Sequence, residues 1–417
     1  MTLAPLPEFL PFSPPLTDDE ELRELADTLR SGWLTRGPKC ELFESQIAAY
    51  LGATGALAVS SCTAALHLAL IVSGVEAGHG VITTPLTFAS TCHAIIYQRA
   101  RPFLVDISPD TGNLDPILTR RFLTEECQPG PEGRPTHRQT GLPIRALLPV
   151  HYGGLPVDLT AFWELAREFK LALVEDAAHA LGSQIQGQLV GSQALRPQGA
   201  LGLTAFSFYA TKNLATGEGG LLTASDPALL ARAAVLAAYG ISDARKVWGR
   251  YAPQGTWVYD VAELGYKYNF TDIQAALGLA QLRKLPEFLR ARQERREVWR
   301  AALAPLGDLV ILPTEKPGNV SSWHLFPLRL NLTRLQIGRD ELIREMRELN
   351  IGASVMFIPI HYHSYYQKTL GYPVGSFPQA ETFFAQEISL PISPALSLAK
   401  IQAAASLTAS LIGRWAQ

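Results

Sequence analysis

Short apolar runs alternate with amphipathic stretches through the first two thirds of the chain. The runs Gly55–Ser60, Gly80–Thr84, Arg101–Asp106, Ile144–Val150, Leu171–Glu175, Ala205–Tyr209 and Gly220–Ala224 have the length and residue types of strands. Several are apolar at successive positions, the mark of a strand covered on both faces. Between them Ala64–Ser73, Phe88–Arg99 and Leu159–Phe169 carry helical patterns. Such alternation predicts an α/β domain, with helices on both faces of a mainly parallel seven-stranded sheet.

Beyond about residue 270 the pattern changes. Thr271–Leu285 reads as a helix capped by Thr271, and residues 286–303, rich in Arg and Glu, as a long connecting helix after it. A strand at Trp323–Leu330, a helix at Arg339–Leu349, a second strand at Ala353–Ile358 and a helical tail at Leu398–Leu411 follow. The expected organisation is a large α/β domain over residues 1–270, of which 1–50 packs partly elsewhere, and a smaller C-terminal α+β domain over 271–417. Glu125–Gly141, rich in Pro, Gly, Arg and His, and Gly191–Gly202 read as loops, the first a surface insertion.

Composition narrows the class. With 417 residues, 47% hydrophobic and 18% charged, the chain can bury a large core. Lys plus Arg number 36 against 38 for Asp plus Glu, so no basic excess points to nucleic acid or to an anionic membrane. Cys40, Cys62, Cys92 and Cys127 form no C-x-x-C pair and are spaced too widely for a disulfide framework or structural zinc. The start, Met1-Thr-Leu-Ala-Pro, has no basic stretch followed by an apolar one. The longest apolar run, Ala64–Val72, holds His67 and is too short to span a bilayer. The expected location is a reducing cytoplasm.

Two segments carry chemistry. Leu173-Val-Glu-Asp-Ala-Ala-His ends an apolar strand on Asp176, and Thr204-Ala-Phe-Ser-Phe-Tyr-Ala-Thr-Lys places Lys212 after the next strand. A cofactor that needs both an amine and a carboxylate is pyridoxal phosphate (PLP). Its aldehyde condenses with a lysine, and its ring nitrogen must stay protonated, which a nearby carboxylate secures. Singly, such a lysine is most often a solvated charge and such an aspartate a cap or turn residue. Their order, with a phosphate candidate upstream, makes the case.

That candidate is Val59-Ser-Ser-Cys-Thr-Ala-Ala, running from a strand into a helix. The helix start, at Ser61, Thr63 and Ala64, offers N–H groups and the positive end of a dipole, although an ordinary N-cap reads the same way. Ser207 can add a hydroxyl there or be bonded to backbone. Phe88 is placed to stack on the ring or to fill the core. His179 can bond Asp176 or the cofactor hydroxyl, or be a satisfied residue at a helix start. All follow C-terminal ends of expected parallel strands, where open α/β sheets bind ligands. His151-Tyr-Gly-Gly, after another strand end, lines the site or forms a tight turn. His361-Tyr-His363 has metal-like spacing, but no carboxylate or cysteine lies close by, which argues against a metal. Neither a G-x-S-x-G elbow nor a P-loop occurs, which lowers hydrolase and nucleotide-triphosphatase readings.

Taken together the segments resemble the DegT/StrS family of sugar-nucleotide aminotransferases, which have the fold type I of aspartate aminotransferase. The likeness covers nearly the whole length. It runs through Ser31-Gly-Trp-Leu-Thr-Arg-Gly-Pro, Ser60-Ser-Cys-Thr-Ala-Ala-Leu-His, Pro149-Val-His-Tyr-Gly-Gly, Val174-Glu-Asp-Ala-Ala-His and Phe206-Ser-Phe-Tyr-Ala-Thr-Lys-Asn. It continues with Glu263-Leu-Gly-Tyr-Lys-Tyr-Asn-Phe-Thr-Asp-Ile-Gln-Ala-Ala, Trp323-His-Leu-Phe and Phe357-Ile-Pro-Ile-His-Tyr-His. The resemblance implies that Lys212 links covalently to PLP and that Asp176 pairs with the ring nitrogen. Thr63, Ala64 and Ser207 would hold the phosphate, and Phe88 would stack on the ring. It also implies a homodimer with shared sites, in which Asn269 reaches the phosphate of the neighbouring subunit's cofactor. The Tyr-Lys-Tyr-Asn form at 266–269, with His361-Tyr-His, looks most like members that aminate carbon 4 of a nucleotide-linked keto sugar. Val355-Met356, where relatives often carry His or Tyr, and the longer 125–141 segment set the sugar pocket apart.

The expected reaction moves an amino group from glutamate to the keto sugar in two halves, with ping-pong kinetics. Lys212 carries the proton, its pKa lowered by a partly apolar site and nearby cations. Two rivals stand beside it: a non-catalytic regulator of the same fold that binds PLP or a sugar nucleotide, and a PLP-dependent sugar dehydratase. A dehydratase branch replaces the lysine with histidine, and Lys212 argues against it.

Overall fold

A computed structural model describes residues 3–241 and 260–416. At its centre is a sheet of β1 (Leu57–Val59), β2 (Gly80–Thr83), β3 (Arg101–Leu104), β4 (Ile144–Leu147), β5 (Ala172–Asp176), β6 (Gly202–Ser207) and β7 (Gly220–Ala224). Their spatial order is β1-β7-β6-β5-β4-β2-β3. Strands β2 to β6 pair in parallel, and β7 runs against both β6 and β1. The sheet is mainly parallel and seven-stranded, as the pattern predicts.

Successive strand residues point to opposite faces, and here both faces are covered. On β5, Leu173 joins one apolar core with Phe43, Phe162 and Leu279, whereas Ala172 and Val174 join the other with Leu66, Ile95 and Leu236. Helices Pro38–Leu51, Leu159–Glu168 and the start of Asp272–Leu303 therefore cover one face. Cys62–Val72, Ala89–Tyr97 and Pro227–Ala237 cover the other. Covered faces are why these strands read as continuous apolar runs.

A further core surrounds an antiparallel sheet of Val310–Ile311, Phe326–Leu330 and Glu387–Leu390, packed by Arg339–Glu348 and Leu398–Arg414. Leu6 and Leu10 also join this core, and the Leu10 amide donates to Asn350 O at 2.8 Å.

Three expectations need correction. Residues 271–303 form one helix, Asp272–Leu303, not two; it starts on a capping box of Thr271 and Gln274 and runs through Pro286. Pro286 is exposed, so its ring projects from the water side of the helix, while Leu282, Leu285 and Phe288 hold the helix down. Ala353–Ile358 is not a strand. It makes one bridge, Ser354 to Ser389, and Glu387–Leu390 takes the sheet position. Its Met356 and Phe357 pack instead with Leu86, Tyr152 and Phe383. Finally, Glu125–Gly141 is no open loop. Cys127–Pro129 pairs with Pro135–His137, and His137 sits 4.5 Å from the Phe103 ring and 5.6 Å from Phe122.

Candidate active site

Parallel pairing of β5 with β6 sets Ala205 beside Asp176. The strands end together, so Asp176 and the Lys212 loop share one end of the sheet. Asp176 is buried. Its Oδ2 accepts from Thr91 Oγ1 at 2.7 Å and its Oδ1 from the Ala178 amide at 3.1 Å. Burial pushes its pKa up, and the hydrogen bonds from Thr91 and Ala178, with the Lys212 charge, offset only part of that. A desolvated carboxylate of this kind gains by meeting a positive group.

Lys212 follows β6 in a turn in which its amide donates to Tyr209 O at 2.9 Å. Burial lowers its amine from 10.5 to about 8, with the Arg292 cation adding to the shift and Asp176 opposing it. His179 and His324 stand 4.4 Å apart, ring to ring, and Phe357 stacks on His179 at 5.7 Å. Burial, then the Lys212 charge, holds His179 well below its usual range. Burial and neighbouring His179 do the same for His324. Both imidazoles are therefore neutral near pH 7. Of the bonds open to His179, the one to Asp176 is not made: His179 Nδ1 accepts from the Gly153 amide at 3.2 Å, and Thr91 takes the carboxylate.

The Cys62–Val72 helix begins directly beyond β1. Ser61 caps it, its Oγ accepting from the Ala64 amide at 3.1 Å. The Ala64 N–H is thus shared with its cap, while the Cys62 and Thr63 amides have no protein acceptor among the described residues. Ser207 pairs with Gly220 across the sheet. A Cβ on Gly220 would lie 2.4 Å from Ser61 C and O, so only glycine allows this approach. Ser207 therefore lies beside the helix start; its Oγ accepts from the Tyr209 amide at 3.3 Å, leaving its O–H to give. Phe88 does not fill the core. It is 61% exposed, 5.9 Å from the Phe357 ring, and has a face to offer. Asn269 bridges to Val59 of its own chain, at the β1 edge next to the helix start, and its Nδ2 donates to Phe270 O at 3.2 Å.

Sequence reasoning missed three features. Thr91 is a common residue 85 positions from the carboxylate it holds. Arg292, deep in the long helix, donates to Trp323 O and His324 O at 3.2 and 3.3 Å. Burial lowers it to about 9, and it has no carboxylate partner among the described residues. On the opposite face of β5, Glu175 bonds His151 Nε2 at 3.1 Å and Thr204 Oγ1 at 2.7 Å, and Thr204 in turn meets Arg196. His151 is thus turned to this network. Elsewhere, His361 Nε2 meets Glu381 at 2.9 Å, so a carboxylate is close in space if not in sequence. Even so, no group of three metal-ligating side chains assembles among the described residues.

The residues fit PLP. Open amides and the Ser207 hydroxyl can take an anion, a buried carboxylate can take a positive charge, and a lysine with a lowered pKa shares that end of the sheet. All four cysteines are buried and free, and no described helix is long and apolar enough to cross a membrane.

Comparison with known proteins agrees. The model of the DegT/DnrJ/EryC1/StrS aminotransferase family matches residues 15–407. The chain is 41% identical over 390 residues to the spore coat polysaccharide biosynthesis protein SpsC of Bacillus subtilis, covering 93% of each. It is 34% identical over 413 residues to the UDP-4-amino-4-deoxy-L-arabinose--oxoglutarate aminotransferase of Shewanella sediminis, covering 97% of this chain and 99% of that one. Among solved structures, a putative sugar aminotransferase of Streptococcus pneumoniae in its PLP form superposes with a TM-score of 0.83 at 29% identity, covering 97% of this chain and 99% of that one. The chain belongs to the DegT/DnrJ/EryC1/StrS aminotransferase family.

Proposed function

We propose that this member of the aminotransferase family moves an amino group from glutamate to carbon 4 of a nucleotide-linked keto sugar. It works in the cytoplasm as a homodimer with shared sites. PLP is its cofactor and, when bound, supplies an electrophilic carbon and an electron sink. Lys212 would hold it covalently and Asp176 would face its ring nitrogen. Thr63, Ala64 and Ser207 would take the phosphate, Phe88 the ring face, and His179 the ring hydroxyl. Asn269 would reach the phosphate across the dimer.

One observation carries the reading: Lys212 and the buried Asp176 share one end of the sheet, where burial lowers the lysine amine to about 8. At neutral pH a fraction is free to accept a proton and the rest can return one, so Nζ can move the proton from the donor's α-carbon. Neutral His179 and His324 add no charge to the site. Asp176, held by Thr91, would keep its orientation toward the ring nitrogen. Phe357, stacked on His179, and Phe88 beside it would shield the bound cofactor from water.

Carbon 4 and the nucleotide rest on the Shewanella relative, whose name specifies a UDP-linked 4-amino sugar and oxoglutarate, and on the Tyr266–Asn269 segment. The test is a panel of nucleotide-linked keto sugars with glutamate, read by mass spectrometry. A 4-amino product with 2-oxoglutarate supports the proposal. An amine at another carbon overturns the position. Sugar consumed without a donor means a dehydratase, and no 2-oxoglutarate with any sugar means a regulator.

A further inference from the structure

A cavity of about 770 Å³ lies far from Lys212, where β4, β5 and β6 begin. Asp176 lies four positions along β5 from Ala172, which lines the cavity, about 13 Å of strand. Arg145 stands at the start of β4, Trp163, Glu164 and Arg167 on the Leu159–Glu168 helix, and Arg196 in the loop that enters β6. Arg134 and Lys170 also line it. Arg145, Arg167 and Arg196 bring positive charge to this wall, and Glu164 a carboxylate.

Its wall also holds donors without acceptors. Arg196 is 7% exposed. Its Nη2 donates to Thr204 and Thr223 at 3.0 and 2.7 Å, but Nε and Nη1 have no partner. Trp163, also 7% exposed, leaves Nε1 without one. Buried donors are normally satisfied; Glu175 balances the Arg196 charge through Thr204, but it leaves Arg196 Nε and Nη1 unused. Arg145 spends only Nε, on Gly74 O at 3.2 Å, and neither it nor Arg167 has an ion pair among the described residues. Between these groups Leu159, Leu171, Leu195 and Leu201 give an apolar floor. The volume is that of a small-molecule site.

We propose that this cavity is a second binding site, for a phosphate-bearing small molecule whose anionic end meets Arg145, Arg167 and Arg196 and whose apolar part rests on the leucines. It is separate from the PLP phosphate cradle, which lies at the other ends of the strands.

The test uses PLP-saturated enzyme, in which that cradle is filled. Calorimetry with inorganic pyrophosphate and with ADP is run on wild type and on Arg145→Glu/Arg167→Glu. Wild type should bind at least one probe, and the double variant about tenfold or more weakly, with kcat for amino transfer unchanged. ADP binding tighter than pyrophosphate assigns a nucleotide, and equal binding assigns the phosphate alone. Heat from neither probe at millimolar concentration, or equal affinity in the variant, overturns the proposal. Should the double variant not fold, Arg167→Glu alone, on an exposed helix position, must still weaken binding.

Discussion

The lowered amine of Lys212 makes a quantitative demand on pH. With a pKa of about 8, half the side chain is free at pH 8 and about 1 in 100 at pH 6. An ordinary lysine at 10.5 would be free about 1 time in 300 at pH 8. The rate at which apoprotein captures PLP, followed by the absorbance of the covalent product in stopped flow, should rise about tenfold per pH unit and flatten near pH 8. Burial is the main cause, so Asp176→Asn should not restore an ordinary lysine. It removes the opposing charge and should move the break to lower pH. The stability sign follows from the same shift. The native pKa is depressed below the unfolded value, so the unfolded chain binds the extra proton between about 8 and 10.5. The native state therefore carries a penalty on the order of 3 kcal/mol below pH 8, relieved as pH rises through that window. A capture rate that climbs without a break to about pH 10 would refute a desolvated amine.

Other consequences can be checked. Thr91→Val removes a hydrogen bond to a charged group, worth about 1.5–3 kcal/mol. It should cut kcat/KM about 10- to 100-fold and move the acidic limb to higher pH, with Thr91→Ser restoring most of the loss; an unmoved profile would give Thr91 only a packing role. Glu175→Ala leaves Arg196 and His151 buried without their carboxylate and should cost about 3–5 kcal/mol in thermal or urea unfolding. A loss under about 1 kcal/mol would mean that water enters that face. Asn269→Ala should weaken PLP retention. Mixed with Lys212→Ala, it should give heterodimers with one intact site if sites are shared, and no such complementation if each chain serves itself.

Much of this was legible because burial leaves a trace in residue type. Leu173 and Val174 face different cores, so β5 reads as apolar throughout, and Asp176 stands out at its end. Lys212 is legible for the same reason, as an amine following a buried strand. What stayed hidden depends on chain-distant contacts. Thr91 looks like any helix threonine until the fold brings it to Asp176. Phe357 sits in an apolar segment that mimics a strand, and Glu387-Ile-Ser-Leu, which is the strand, is four residues long and is followed at once by Pro391. Pro286 suggested a break that its exposed position makes tolerable. Pro129, Gly130 and Pro135 suggested an open loop and instead flank the turn of a hairpin.

The central claim is a covalent link at one lysine. Borohydride reduction of the PLP-loaded protein, digestion and peptide mass spectrometry should place the phosphopyridoxyl group on Lys212. A label on another lysine, or none on a protein that still transfers amino groups, would contradict the account.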